Sequence, residues 1–125
     1  MKDNRPVNLD IGSVRLPITA WTSITHRASG VFLFIAIGIL LYMLDGSLKS
    51  PEGFAAVQDC LDSLLARLVL LAVIAGVIYH ALAGIKHLIM DFGIGESMAG
   101  GILGARLVIV LSVILTVVAA GVWVW

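Results

Sequence analysis

The sequence has little charge and almost no cysteine. Only 13% of its 125 residues are Asp, Glu, Lys or Arg, whereas a soluble domain carries about 25%. The 8 Lys and Arg balance the 8 Asp and Glu, and this lack of a basic surplus argues against nucleic-acid binding. A single cysteine, Cys60, excludes an internal disulfide framework. With 60% hydrophobic residues the chain is also not disordered. These figures indicate a small integral membrane protein with one domain.

Three apolar segments are long enough to cross a bilayer as helices, which takes roughly 20 residues each. We predict spans at about residues 21–44, 64–90 and 103–125. The connection between the first two contains Ser50-Pro51-Glu52, which is typical of a helix start: a capping hydroxyl, a proline in the first turn and an acid facing the helix dipole. The sequence therefore predicts an all-α membrane fold with three spans and a short interfacial helix between spans 1 and 2.

The distribution of positive charge predicts the orientation of these spans. On the N-terminal side of the membrane lie Lys2, Arg5, Arg15, Arg27, Lys86 and Arg106, and on the other side lie only Lys49 and Arg67. Because positive residues favour the cytoplasmic face, we expect the N-terminus in the cytoplasm and the C-terminus outside. Lys86 is expected to mark the cytoplasmic interface.

His80 is the only ionisable residue within the apolar part of the second span, and such groups usually face protein or a cofactor. Gly76, His80, Gly84 and His87 share one helix face. Glycines one turn above and below His80 leave a flat surface that suits a porphyrin. Two other readings stay open: His80 as a hydrogen-bonded packing residue, and the glycines as sites where a neighbouring helix approaches closely.

The histidine count limits how haem is bound. His80 and His87 are about 10.5 Å apart along the helix, whereas two axial nitrogens of one iron lie roughly 4 Å apart. His26 is expected to lie shallower than His80. Four histidines are needed for two bis-histidine haems, and the chain has three. If haem is bound, we therefore predict one haem whose second ligand comes from another chain.

Ser23, His26, Arg27 and Gly30 share a face where the first span enters the membrane. A hydroxyl such as Ser23 can donate to a quinone carbonyl. A partly buried guanidinium such as Arg27 can stabilise the negative charge of a reduced quinone, or pair with haem propionates. Arg27 as a simple interfacial anchor is the alternative.

Several strings in order along the chain resemble one protein family. They are RPVNLD at residues 5–10, SITHRASG at 23–30, SPEGF at 50–54 and HALAGIKHLIMDFG at 80–93. Together they resemble the cytochrome b (large membrane-anchor) subunit of bacterial succinate dehydrogenase, respiratory complex II. The resemblance covers nearly the whole chain, although the third span matches only in hydrophobicity.

This resemblance implies a set of roles. His80 would be an axial ligand of haem b, with the other ligand supplied by the small membrane-anchor subunit. Ser23 and Arg27 would belong to the ubiquinone site, and His26, Arg27 and His87 to the haem propionates or a proton network. The flavoprotein subunit would oxidise succinate and pass electrons through the iron–sulfur subunit to quinone. The chain would then be a multi-pass protein of the bacterial inner membrane, and would take part in catalysis only as a subunit of the complex.

Lys86 departs from the family pattern, which usually has arginine there, and lysine cannot make a planar bidentate contact.

Two alternative functions stay open at this point. One is a structural anchor without redox chemistry. The other is the anchor of a related quinol:fumarate reductase, against which the set of three histidines argues.

Overall fold

The computed structural model describes residues 10–123, the side chain of Ile11 excepted. Residues 1–9, which include Lys2, Arg5 and most of the first quoted string, and residues 124–125 of the predicted third span lie outside the described residues. Every regular element between residues 10 and 123 is helical. A 3₁₀ turn at Ile11–Ser13 precedes α1 (Ile18–Lys49), α2 (Pro51–Asp62), α3 (Leu64–Asp91) and α4 (Met98–Trp123).

Three of these helices, α1, α3 and α4, are long and apolar enough to cross a membrane, and α2 is the short helix between the first two. The all-α integral-membrane fold predicted from the sequence is thereby confirmed. α1 extends beyond its predicted span at both ends, α3 begins where it was predicted, and α4 begins earlier than predicted, at Met98. At its C-terminal end α1 continues through a polar last turn, where Lys49 Nζ lies 2.6 Å from the Asp45 carboxylate.

The connection from α1 to α3 is tight because each new helix is capped by the residue before it. Ser50 Oγ accepts a hydrogen bond from the Gly53 amide at 3.0 Å, and Pro51 opens α2. Ser63 Oγ accepts from the Ala66 amide at 3.2 Å at the start of α3. The predicted Ser50-Pro51-Glu52 helix start is therefore present. These caps satisfy backbone donors that a helix start leaves free.

The helices pack through small residues rather than through a core of large ones. The buried hydrophobic residues within the described chain are Ala36, Ala83, Ala105 and Val108. Most large apolar side chains are exposed, as expected where lipid or other helices cover them. Among the spans, α3 packs against both α1 and α4, and α1 and α4 also touch. This places α3, with its two histidines, in the middle of the three.

The first turns of α1 and α4 meet at the membrane end that also carries the α3–α4 connection. Thr22, only 2% exposed, returns its hydroxyl to the backbone carbonyls of Ile18 and Thr19. A Cβ built on Gly101 would lie 3.3 Å from Thr19 Cγ2. The chain turns from α3 to α4 at Gly93 and Gly95, whose φ angles of +81° and +75° favour glycine.

Candidate functional site

The structure brings together all three histidines, which come from two helices. The rings of His26 on α1 and His80 on α3 stack with centroids 4.2 Å apart and planes inclined by 20°. The ring of His87 lies 5.3 Å from that of His26, tilted by 48°. His26 thus sits between the two histidines of α3. The antiparallel packing of α1 on α3 creates this cluster, since the three residues are far apart along the chain.

Two oxygen atoms of α1 hold the His80 ring by one nitrogen. His80 Nδ1 lies 3.2 Å from the backbone carbonyl of His26 and 2.9 Å from Ser29 Oγ. The Ser29 hydroxyl donates its own proton to the same His26 carbonyl at 2.7 Å. Because a carbonyl can only accept, Nδ1 must carry the proton. In the neutral ring the lone pair then lies on Nε2, and this is the form in which histidine binds a metal.

His26 presents the opposite situation, a buried nitrogen without a partner. Its Nε2 is buried and finds no hydrogen-bond partner within the described part of the chain. A Cβ built on Gly84 would lie 3.4 Å from this atom, so the ring rests against the bare backbone of α3. A buried polar atom left unpaired costs about 1–3 kcal/mol. This nitrogen is therefore able to pair with a further polar group.

The glycines beside His80 do not form an open platform, so the prediction of a porphyrin surface there is wrong. A Cβ on Gly76 would lie 3.0 Å from Phe32 Cε1 and 3.3 Å from Leu33 Cδ2 of α1. Gly84 is covered by His26 in the same way. The helix-approach reading is the correct one: these glycines let side chains of α1 reach the backbone of α3.

His26 also lies at the level of His80 and not shallower, as the stacking of the two rings requires. Two imidazoles on opposite sides of one iron have centroids about 6 Å apart, given metal–nitrogen bonds of about 2 Å. Rings stacked at 4.2 Å cannot be such a pair. The described residues contain no group of three or more His, Cys, Asp or Glu that could hold a bare metal ion.

Ser23 and Arg27 lie one turn apart on α1, beside the histidine cluster. Ser23 is half-buried and Arg27 is exposed. Within residues 10–123, Arg27 has no carboxylate within 4 Å, and the Ser23 hydroxyl takes part in none of the side-chain hydrogen bonds. Both groups are consequently free to contact a ligand or another chain.

Two contacts near the site escaped the sequence analysis. One is the hydrogen bond from His80 Nδ1 to Ser29, and the other joins the hydroxyls of Tyr79 and Thr25. Tyr79 also reaches the Thr22 carbonyl at 3.3 Å. Ser29 follows His26 by one turn, and this spacing is the only signal that could have indicated it. Nothing within one helix indicates the Tyr79 pair, because it joins α1 to α3.

Lys86, which the sequence predicts at the cytoplasmic interface, packs its side chain against a neighbouring helix. It is only 8% exposed, and its aliphatic stem crosses Gly104 of α4, where a built Cβ would lie 3.3 Å from Lys86 Cε. The side chain therefore faces α4, whereas His80 faces α1. A pairing of this position with groups at the histidine cluster does not occur in this structure.

Three apolar helices with a cluster of imidazoles between α1 and α3 define a polytopic helical membrane protein. The family model described as succinate dehydrogenase/fumarate reductase transmembrane subunit matches residues 1–119. The chain belongs to this family.

Relatives within the family support the same assignment. The chain is 38% identical to a succinate dehydrogenase cytochrome b556 subunit of Coxiella burnetii over 100% of both chains. It is 32% identical to the subunit of the same name from Paracoccus denitrificans, over 93% of this chain and 89% of the relative. A mouse mitochondrial succinate dehydrogenase cytochrome b560 subunit is 28% identical over 89% of this chain and 67% of the relative.

Proposed function

We propose that the chain is the membrane-anchoring haem b subunit of a bacterial succinate:ubiquinone oxidoreductase. One observation carries the proposal: His80 Nδ1 lies 3.2 Å from the His26 carbonyl, which can only accept, so that a neutral His80 ring would keep its Nε2 lone pair for iron. The relatives named cytochrome b556 support haem as the group concerned. The positive-inside distribution supports a cytoplasmic N-terminus in the bacterial inner membrane.

His80 would hold the haem iron as a neutral imidazole. Haem b would supply one-electron transfer, and the second ligand would come from the small membrane-anchor subunit. The geometry supports this division, because His26 stacks on His80 and so cannot bind the same iron from the other side. Ser29 and the His26 carbonyl fix the ring orientation and make the imidazole a stronger donor.

Ser23 and Arg27 would bind the quinone. The Ser23 hydroxyl donates to a carbonyl oxygen, and the Arg27 guanidinium stabilises negative charge that develops on reduction. The absence of internal partners for these two groups, among the described residues, supports the assignment. Their position beside the histidine cluster would keep the quinone ring close to the haem edge.

His26, His87 and Arg27 would contact haem propionates or form a proton network. The unpaired Nε2 of His26 is the group most in need of such a partner. As an N–H it would donate to a propionate oxygen, and as a lone pair it would accept from water.

The subunit would anchor the flavoprotein and iron–sulfur subunits to the membrane on the cytoplasmic side. Catalysis belongs to the assembled complex and not to this chain alone. The bilayer and the partner subunits would cover the exposed apolar surface of α1, α3 and α4.

The first experiment tests the quinone site. Ser23→Ala and Arg27→Leu are introduced into the assembled complex, with Arg106→Leu as the control for loss of a positive charge at the same membrane end. Quinone reduction by succinate should fall in the first two variants, while reduction of a soluble dye acceptor stays unchanged. Wild-type turnover and quinone affinity in both variants would refute the roles given to these residues.

The second experiment tests the haem ligand. A His80→Ala complex should lose the b-type band in a reduced-minus-oxidised spectrum. Retention of the full band would favour the alternative function, a structural anchor without redox chemistry. In that case the two glycines, Gly76 and Gly84, would serve only to let α1 pack closely on α3. The family also includes fumarate reductase subunits, so the direction of electron flow is tested by comparing succinate oxidation with fumarate reduction.

A further inference from the structure

Lys86 is a basic residue whose side chain is mostly buried at the contact between α3 and α4. It is 8% exposed, and no carboxylate of residues 10–123 lies within 4 Å of its ammonium group. Its stem lies flat on α4 because Gly104 has no side chain. Buried lysines in membrane helices normally find a counter-charge or extend to the polar interface.

An apolar groove of about 350 Å³ runs between α3 and α4 beside this lysine. Its lining includes Gly95 and Gly100 at the α3–α4 connection and reaches Leu82 on α3 and Leu111 on α4. Leu82 lies nine residues before the end of α3, so the groove extends about 14 Å along the helices. Its walls are otherwise aliphatic, and Lys86 is the charged residue among them.

The groove is thus complementary in shape and polarity to a lipid molecule. An acyl chain lying parallel to α3 and α4 would fill the aliphatic part, and a phosphate would lie towards the connection. There it would lie within reach of the Lys86 ammonium, since Lys86 lines the groove. The exposed acids Asp91 and Glu96 do not line the groove.

We propose that the α3–α4 groove binds one anionic phospholipid, with Lys86 contacting its phosphate. Basic pockets between membrane helices on the cytoplasmic side bind such headgroups in general. The charge complementarity favours a lipid over a partner helix, because an apolar helix face would leave the ammonium unpaired. The lipid would extend the α3–α4 interface and cover surface that the protein leaves open.

The test measures single lipid-binding events on the extracted complex by native mass spectrometry. Phosphatidylglycerol and phosphatidylcholine are titrated separately against the wild type and against Lys86→Gln, Lys86→Arg and Arg106→Gln. Loss of one interfacial positive charge is worth about 1 kcal/mol, so Lys86→Gln should weaken the first phosphatidylglycerol event about fivefold. Phosphatidylcholine binding should stay unchanged. Lys86→Arg should retain the binding, and Arg106→Gln should behave as the wild type.

Leu107→Trp tests the groove itself, since Leu107 lines it and the larger side chain occupies its volume. This variant should weaken the binding of both lipids. Wild-type phosphatidylglycerol affinity in Lys86→Gln or in Leu107→Trp would overturn the proposal, as would an equal loss in Arg106→Gln. Loss of co-purifying subunits from Lys86→Gln with unchanged lipid binding would assign Lys86 to a protein contact and also overturn it. Displacement of the lipid by glycerol phosphate at equal concentration would reject the acyl chain as a determinant.

Discussion

Replacing Ser29 by alanine removes one of the two oxygen atoms that accept the Nδ1 proton of His80. The remaining acceptor, the His26 carbonyl, lies at 3.2 Å and is the more distant of the two. A hydrogen bond to Nδ1–H gives the imidazole more anionic character, which stabilises ferric iron over ferrous iron. The haem potential should therefore rise in Ser29→Ala.

The hydrogen bond sets the size of this effect. A neutral bond contributes about 0.5–1.5 kcal/mol net, and 59 mV corresponds to about 1.4 kcal/mol for one electron. Because the bond exists in both oxidation states, only the difference between them counts. We expect a rise of about 10–40 mV, well below the ceiling of roughly 60 mV.

The assay is a redox titration of the b-type band in membranes that contain the assembled complex. Ser23→Ala is the matched control, because it removes a hydroxyl from the same helix that does not contact His80. Its potential should equal that of the wild type while quinone reduction falls. A lower potential in Ser29→Ala, or an equal change in both variants, would refute the role given to Ser29.

Four further predictions concern the packing of α1 on α3 and the start of α2. Gly30→Ala should weaken haem retention, because its Cβ would lie 3.2 Å from His80 Cε1 and displace a ring held by two hydrogen bonds. Absorption spectra of the purified protein measure the haem retained. The control Gly38→Ala, whose Cβ would meet nothing within 4 Å, should have no effect on it. Gly76→Leu should separate α1 from α3 and lower the free energy of unfolding by about 1–3 kcal/mol through overpacking. Its thermal unfolding midpoint should be lower than that of the control Gly38→Leu. Equal midpoints would contradict the packing of α1 on Gly76. Ser50→Ala should cost α2 about 0.5–2 kcal/mol, measured as faster amide exchange in α2 alone. Hydrogen bonds from its own backbone N–H and from Ser50 lower the pKa of Glu52, so its contribution to α2 is present above the unfolded pKa and is lost as the pH falls through the lower folded value. The protection factors of the α2 amides, which correct exchange for its intrinsic pH dependence, should therefore fall in acid, and unchanged protection factors would contradict this.

Local features of the chain were enough to predict the helices. Membrane spans depend on the hydrophobicity of about 20 consecutive residues, and α2 depends on a cap formed by Ser50 and its near neighbours. The grouping of His80 with His87 on one face of α3 also follows from helix geometry alone. None of these depends on what lies beside the helix.

The helix-to-helix contacts could not be predicted in this way. Helical spacing placed Gly76 and Gly84 on the face of His80 but could not decide whether a porphyrin or α1 covers that face. The same spacing could not show that Lys86 turns towards Gly104, or that Ser29 accepts from His80. Each of these contacts joins residues that are far apart along the chain.

The sequence by itself determined that the chain forms three membrane helices with a histidine in the second, because hydrophobicity and capping act over a few turns. Only the tertiary structure decided which side chains meet that histidine. The packing of α1 on α3 commits Nδ1 of His80 to α1 and leaves Nε2 free. Small residues allow that approach, and the angle and register at which two helices meet depend on both surfaces at once.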